Sequence, residues 1–231
     1  MKIALIGYGK MGKTIERIAL ERGHEIVYRI TDDIDNHHLD TVDVAIDFSI
    51  PGAAFKNITA CFRKKIPVIS GTTGWLKDYD SAVEICKQEG AAFIYASNFS
   101  LGVNIFFELN KKLSEMMEKF PEYSVGIEEI HHTQKLDAPS GTAISLAEQI
   151  IENSGKKGWK LDSSGKDEIP IIAKRINDVP GTHTVTYSSE IDTINIEHIA
   201  HSREGFALGA VVAAEWIKDK KGVFGMKDVL F

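Results

Sequence analysis

Apolar and polar positions along the first hundred residues alternate between two periods. Short continuous apolar runs, Ile3 to Ile6, Asp43 to Phe48, Pro67 to Ser70 and Ala92 to Tyr95, read as buried strands, with a fifth strand segment at Glu25 to Ile30. Between them lie segments with helical spacing: Lys13 to Arg22, Pro51 to about Lys64 with proline in its first turn, and Tyr79 to Gln88. Strand and helix in strict alternation predict a parallel sheet with helices on its faces. From Val103 a long helical segment carries Ile105, Phe106, Leu109, Leu113, Met116 and Met117 toward about Lys119. After Pro121 the pattern turns strand-rich, with Tyr123 to Ile130, Ile171 to Arg175, Thr182 to Tyr187 and Thr193 to His198. One helix, Thr142 to Ile151, and a polar loop, Ser154 to Glu168, interrupt these strands. Ala207 to Lys218 then returns to helix. The pattern predicts an α/β chain whose second part is a mixed-sheet domain.

The first strand runs into Gly7-Tyr8-Gly9-Lys10-Met11-Gly12 and a helix. In this setting the first glycine allows a tight turn, the second lets backbone approach a pyrophosphate, and the third lets helix pack on strand. Dinucleotide binding is the expectation, with Lys10 as an additional phosphate contact. An acid about twenty residues further on holds the adenosine ribose in NAD sites, and Asp32 stands at the end of the second strand. Arg29 nearby is the basic neighbour that would admit NADP. Three further strands end in small polar loops, Asp47-Phe48-Ser49, Gly71-Thr72-Thr73-Gly74 and Ala96-Ser97-Asn98-Phe99. All would line one edge of the sheet, where open α/β folds bind ligands.

The second chemical centre is Glu128 to Thr142, Glu-Glu-Ile-His-His-Thr-Gln-Lys-Leu-Asp-Ala-Pro-Ser-Gly-Thr. Strand precedes it and helix follows, so His131, His132 and Lys135 are placed on a loop before a helix N-terminus. Free N–H groups and the positive dipole end favour an anion there, most naturally a carboxylate. The histidines can also exchange protons near neutral pH.

Bulk properties exclude several classes. The 231 residues are 43% hydrophobic and 26% charged, as in ordinary globular proteins, and the net charge of −6 argues against bulk nucleic-acid or acidic-membrane binding. Met1 leads directly into the first strand, so no signal peptide or membrane span is expected and a cytoplasmic location is. Cys61 and Cys86 lack CxxC or His-rich surroundings, and the His37-His38 pair, read as solvent-facing, has no metal-ligand partners; no metal site is expected.

Taken together, these residues resemble the 4-hydroxy-tetrahydrodipicolinate reductase family of bacterial lysine and diaminopimelate synthesis. The likeness spans nearly the whole chain. It is carried by the glycine motif, Asp47-Phe48-Ser49, Gly71-Thr72-Thr73-Gly74, Asn98-Phe99-Ser100, the Glu129-x-His131-His132-x-x-Lys135 run through Asp137-Ala138-Pro139-Ser140-Gly141-Thr142, and His198 through Ala210. The resemblance implies a Rossmann-like dinucleotide domain, residues 1–103 and 208–231, with an inserted α+β mixed-sheet substrate and tetramerisation domain, residues 104–207. It implies hydride transfer from NADH or NADPH to a cyclic imine-type dicarboxylate, with loss of water. His131 and Lys135 become the implied proton donors, since hydride addition at a C=N carbon leaves negative charge developing on nitrogen. His132, Ser140, Gly141 and Thr142 become the implied substrate contacts. Gly7, Tyr8, Gly9, Lys10, Met11, Gly12, Asp32, Phe48, Gly71, Thr72, Thr73, Ala96, Ser97, Asn98 and Phe99 become the implied cofactor contacts, in a homotetramer. Two departures stand out. Thr133-Gln134 occupies a place where many members are more basic, and Asn177 replaces the first glycine of the Arg-x-Gly pattern near Arg175. Competing readings are an aspartate-dehydrogenase-like enzyme and a catalytically silent NAD(P)-sensing protein.

Overall fold

The computed structural model describes residues 1–163, 165 and 167–231. They form two compact units, Met1–Leu101 with Glu204–Phe231, and Gly102–Arg203.

In the first unit, β1 (Lys2–Ile6), α1 (Lys10–Glu21), β2 (Glu25–Ile30), β3 (Val44–Asp47), α2 (Pro51–Arg63), β4 (Val68–Ser70), α3 (Tyr79–Glu89) and β5 (Ala92–Tyr95) follow one another. The strands pair in parallel, and the sheet order places β1 between β2 and β3. The order in which strands are added to the sheet reverses at that point, so a crevice opens beyond the carboxyl end of β1. Successive side chains of β1 serve opposite faces. Ile3 and Leu5 pack with Ile15 and Ile18 of α1, whereas Ala4 and Ile6 pack with Ile58 and Phe62 of α2. Cys61 and Cys86 are free and buried in the latter core, and burial pushes the Cys61 thiol up to about 12.

The second unit begins along α4 (Leu101–Met117) and continues with β6 (Ser124–His131), α5 (Gly141–Glu152), β7 (Gly158–Leu161), β8 (Glu168–Arg175), β9 (Gly181–Ser188) and β10 (Thr193–Ala200). Its five-stranded sheet has the order β10-β9-β6-β8-β7; β6 runs parallel to β8 and antiparallel to β9. One face carries Val125, Ile127, Ile171 and Val185 against Leu146, Ala147 and Ile150 of α5 and Phe106 of α4.

The chain then returns to the first unit as α6 (Glu204–Ile217), β11 (Gly222–Phe224) and α7 (Met226–Leu230). Helix α6 completes the α1 face of the core, and β11 adds a sixth parallel strand beside β5.

Four sequence expectations are corrected. The loop Ser154 to Glu168 contains β7, a four-residue strand too short to show a period; its positions 164 and 166 lie outside the described residues. The chain end adds a strand and a short helix to the anticipated return helix. The Asp33 to Thr41 loop buries Ile34 and Leu39, and His37 is half-buried, bonded to Asp32 at 2.7 Å rather than solvent-facing. Strand β6 extends through His131, so this histidine is the last residue of a strand and not part of the loop.

Candidate active site

The two units each present one part of the chemistry. In the first, the three glycines of the initial motif have different surroundings. Gly7 has φ +88°, and a Cβ there would meet the Phe48 carbonyl oxygen at 2.1 Å. A Cβ on Gly12 would meet the Gly7 carbonyl oxygen at 2.4 Å, whereas a Cβ on Gly9 would meet nothing within 4 Å. The first and third glycines therefore close the turn and seat the helix, and the second faces open space. Gly9 also caps α1 without a side-chain hydrogen bond, and the first turn holds no acid. Unpaired N–H groups at the start of α1 thus border a cleft of about 720 Å³. The residues present fit a dinucleotide.

Tyr8, Asp32, Phe48, Ser49 and Lys56 line that cleft. Asp32 is held below the usual carboxylate range by hydrogen bonds from His37 and Asn36. Arg29 is engaged by Glu16, which also accepts from the Tyr8 hydroxyl. The basic neighbour inferred from sequence is therefore already paired. Lys56, which the sequence reading did not select, binds both oxygens of Asp33 at 2.6 Å and Asp35 at 2.9 Å.

Beyond β3 and β4, a buried carboxylate ties together the loops expected from sequence to meet a cofactor. Asp47 accepts from Ser49 Oγ at 2.6 Å, Ser70 Oγ at 2.9 Å and Thr72 Oγ1 at 2.7 Å, while Thr72 Oγ1 itself accepts from Ser49 N–H at 2.9 Å. Burial raises its pKa, opposed by these hydroxyls. Phe48 covers Gly71, whose Cβ would lie 2.3 Å from the ring, and packs on Phe99 with centroids 5.8 Å apart. Gly7, Phe48, Gly71, Thr72 and Phe99 are thus brought together, and Lys10, Thr73 and Ser97 are exposed.

In the second unit the burial of β6 alternates, and the alternation carries Glu129 and His131 onto the same inner face as Val125 and Ile127. Glu129 is fully buried. Its Oε1 accepts from Arg175 Nη2 at 3.2 Å and its Oε2 from Ser140 N–H at 2.9 Å. Ser140 caps α5, accepting from Ala143 N–H at 3.2 Å, and its Oγ lies 3.1 Å from His183 Nε2. The first turn of α5 contains no acid, and Gly141 leaves open space at its Cβ position. Ser140, Gly141 and the half-buried Thr142 therefore form a positive helix end beside the His131 strand end, compensated at the Ser140 N–H by the Glu129 carboxylate.

Lys135 and Arg175 are not free cations. Lys135 Nζ bonds both oxygens of Asp137, at 2.9 and 2.7 Å, which holds the Asp137 carboxyl below its ordinary range. Arg175 donates to the carbonyl oxygens of Lys135 and Asp137, at 3.3 and 2.7 Å, and so clamps the loop to the end of β8. His132 is half-buried and lines a separate 180 Å³ pocket with Thr133, Gln134, Asn177 and Arg203. Asn177 bonds to Asp178 at 3.3 Å.

Burial lowers the His131 pKa, the nearby Glu129 carboxylate opposing that and Lys135 and Arg175 reinforcing it. Burial likewise pushes His183 down to about 3. Ligating atoms of Glu129, His131 and His183 lie within 4.8 Å of one another, spacing that a metal could draw together. The carboxylate is already occupied by a guanidinium and an amide N–H, so the trio is better described as a buried acid site with two histidines at ion-pair distance from one carboxylate.

Sequence reasoning missed Arg175, His183, Asp137 and Lys56 as site residues. A signal existed for Glu129: its two-residue spacing from His131 puts both on one face of a strand.

Comparison with known proteins gives the family. Residues 1–99 match the model of the dihydrodipicolinate reductase N-terminus, and residues 102–230 match that of its C-terminus. The 4-hydroxy-tetrahydrodipicolinate reductase of Christiangramia forsetii is 67% identical over the whole chain and 98% of its own length. The enzyme of the same name from Methanosarcina barkeri is 39% identical, covering 81% of this chain and 73% of the relative. Among solved structures, dipicolinate-bound dihydrodipicolinate reductase from Paenisporosarcina superposes with a TM-score of 0.78 at 22% identity, covering 97% of each chain. Aspartate dehydrogenase from Thermotoga maritima shares the fold less closely, with a TM-score of 0.51 at 16% identity over 97% of this chain and 99% of that one. With both halves matched and full-length identity of this order, the chain belongs to the dihydrodipicolinate reductase family.

Proposed function

We propose that His131 and Lys135 supply the proton in the reaction of this family, NAD(P)H-dependent reduction of 4-hydroxy-tetrahydrodipicolinate to tetrahydrodipicolinate in lysine biosynthesis. The observation that carries this reading is the meeting of a helix N-terminus whose first turn holds no acid, capped by buried Ser140, with the buried His131 at the end of β6. The Ser140 to Thr142 segment would hold one carboxylate of the cyclic dicarboxylate through backbone N–H groups and the Thr142 hydroxyl. Lys135 adds charge at the rim, and His132 adds a further contact.

When bound, NADH or NADPH supplies the hydride. Gly7 to Gly12 and the loops Phe48, Gly71 to Thr73 and Ala96 to Phe99 would hold it, with Asp32 toward the adenosine ribose. The protein's own task in unit two is to orient the carboxylates, exclude water from His131 and deliver a proton as negative charge develops on the imine-type ring. A buried histidine with a lowered pKa is a strong acid when charged, suited to that delivery.

Residues 1–103 with 208–231 would thus form the dinucleotide domain and residues 104–207 the substrate and assembly domain. A homotetramer is supported by the outer face of the five-stranded sheet, where Ile172 and Ile199 are 36% and 52% exposed. Among the described residues no helix is long and apolar enough to cross a membrane, consistent with a cytoplasmic biosynthetic enzyme. The test is turnover by His131→Ala and Lys135→Ala. Each should lose activity by about 10² or more while cofactor binding is retained. Near-parental turnover in both would refute the assignment.

A further inference from the structure

Glu129 is a carboxylate with no exposure, placed where its two oxygens reach four different elements of the site. Besides Arg175 at the end of β8 and the Ser140 N–H at the start of α5, Oε2 lies 3.7 Å from His131 Nδ1 and 3.8 Å from His183 Nε2. The 3.7 Å approach is too long for a hydrogen bond but within ion-pair range. His131 Nδ1 is buried with no hydrogen-bond partner among the described residues. On the other side, Gly181 leaves the ring its place: a Cβ there would lie 3.2 Å from Nε2. The neighbouring His183 ring packs edge-on, with centroids 5.0 Å apart.

We propose that Glu129 is the positioning residue of the acid site: its Oε2 fixes the proton of neutral His131 on Nδ1 and leaves Nε2 as the donor nitrogen. In the charged ring both nitrogens carry hydrogen. Donation breaks the Nε2–H bond and passes the proton to the reduced substrate. The ring falls from positive to neutral as the Nδ1–H tautomer, which the carboxylate favours. The same carboxylate offsets the burial that makes charging this ring costly. The groups facing His131 are Glu129 on its own strand, Lys135 and Asp137 on the following loop, Arg175 on β8 and His183 on β9. Of these, Glu129 and Asp137 stabilise the charged ring. Lys135 and Arg175 oppose it.

The catalytic consequence rests on the proton-donor reading of His131, but the tautomer does not, and the two separate experimentally. Nitrogen NMR of ¹⁵N-histidine-labelled protein reports the titration and tautomer of His131 directly, with His131→Gln as the assignment control. In the parent, neutral His131 should be protonated at Nδ1. Glu129→Gln should mix the tautomers and lower the midpoint by roughly one pH unit. Arg175→Gln, which removes an opposing charge, should raise it. This second variant keeps the idea testable if Glu129→Gln does not fold. The pH limb of kcat/KM should move in the same two directions, a behaviour that mere loss of structure would not give. An unchanged His131 tautomer and midpoint in both variants would overturn the proposal. If instead the tautomer responds as described while His131→Gln keeps near-parental turnover, the positioning role stands and the proton-donor reading fails.

Discussion

Glu129 and His183 stand opposite each other across the β6–β9 ladder, with the carboxylate Oε2 3.8 Å from the ring Nε2. His183 is nearly fully buried and its pKa falls to about 3, well below its ordinary value. The unfolded chain therefore takes up a proton near pH 6.5 that the native state refuses. A depressed histidine pKa leaves stability intact above the unfolded value and erodes it as pH falls toward the folded one. Thermal unfolding should show stability falling from pH 6.5 toward 3, with a loss on the order of 2 kcal/mol at pH 4.5 from this residue. The His183→Gln variant should be flatter over the same window. An equally steep profile in the variant would assign the acid sensitivity elsewhere.

Lys135 is bound to Asp137 through both carboxylate oxygens. Asp137→Asn should therefore free the ammonium for the substrate carboxylate while loosening the loop, so KM should respond more than cofactor affinity. Isothermal titration of NADH beside steady-state kinetics separates these. A loss of NADH affinity equal to the change in KM would contradict the placement.

At the Asp32 end of the cleft, which we propose takes the adenosine ribose, hydrogen bonds hold Asp32 in its charged form, and Arg29 is consumed by Glu16. A 2′-phosphate would meet that carboxylate with Lys56 shared between Asp33 and Asp35. The ratio of kcat/KM for NADH over NADPH should exceed one, and Asp32→Ser should lower it by about tenfold. An unchanged ratio would place the discrimination on other residues.

Gly209 in α6 is pressed against the loop that ends at Phe99: a Cβ there would lie 1.7 Å from the Phe99 carbonyl oxygen. Gly209→Ala should cost about 1–3 kcal/mol through overpacking and weaken dinucleotide binding through the displaced loop. Thermal melts with and without NADH measure both effects.

Much of this fold is legible from periodicity. The strands Glu25–Ile30 and Ala92–Tyr95 coincide with the segments expected from sequence, because each carries buried apolar positions and is bounded by turn residues. The three-residue strand Gly222–Phe224 was not, since so short a segment borrows its structure from β5 beside it. The glycine motif and the Ser140 cap were readable because their backbone chemistry is local. The pairing of Arg175 with Glu129, 46 residues apart, was not. Nor was the burial of His131: a histidine after an apolar strand looks like a loop residue until β8 and β9 close around it. Lys56 looked like any exposed helical lysine, and only the fold brings it to the Asp33 turn.

The most direct test of the account is oxidation of NADH and NADPH followed in parallel by the absorbance of the reduced nicotinamide, with substrate generated in situ from pyruvate and aspartate semialdehyde by the preceding synthase. The account predicts synthase-dependent oxidation of at least one cofactor, abolished or strongly reduced in His131→Ala. Folded protein that binds either cofactor yet oxidises neither would contradict it.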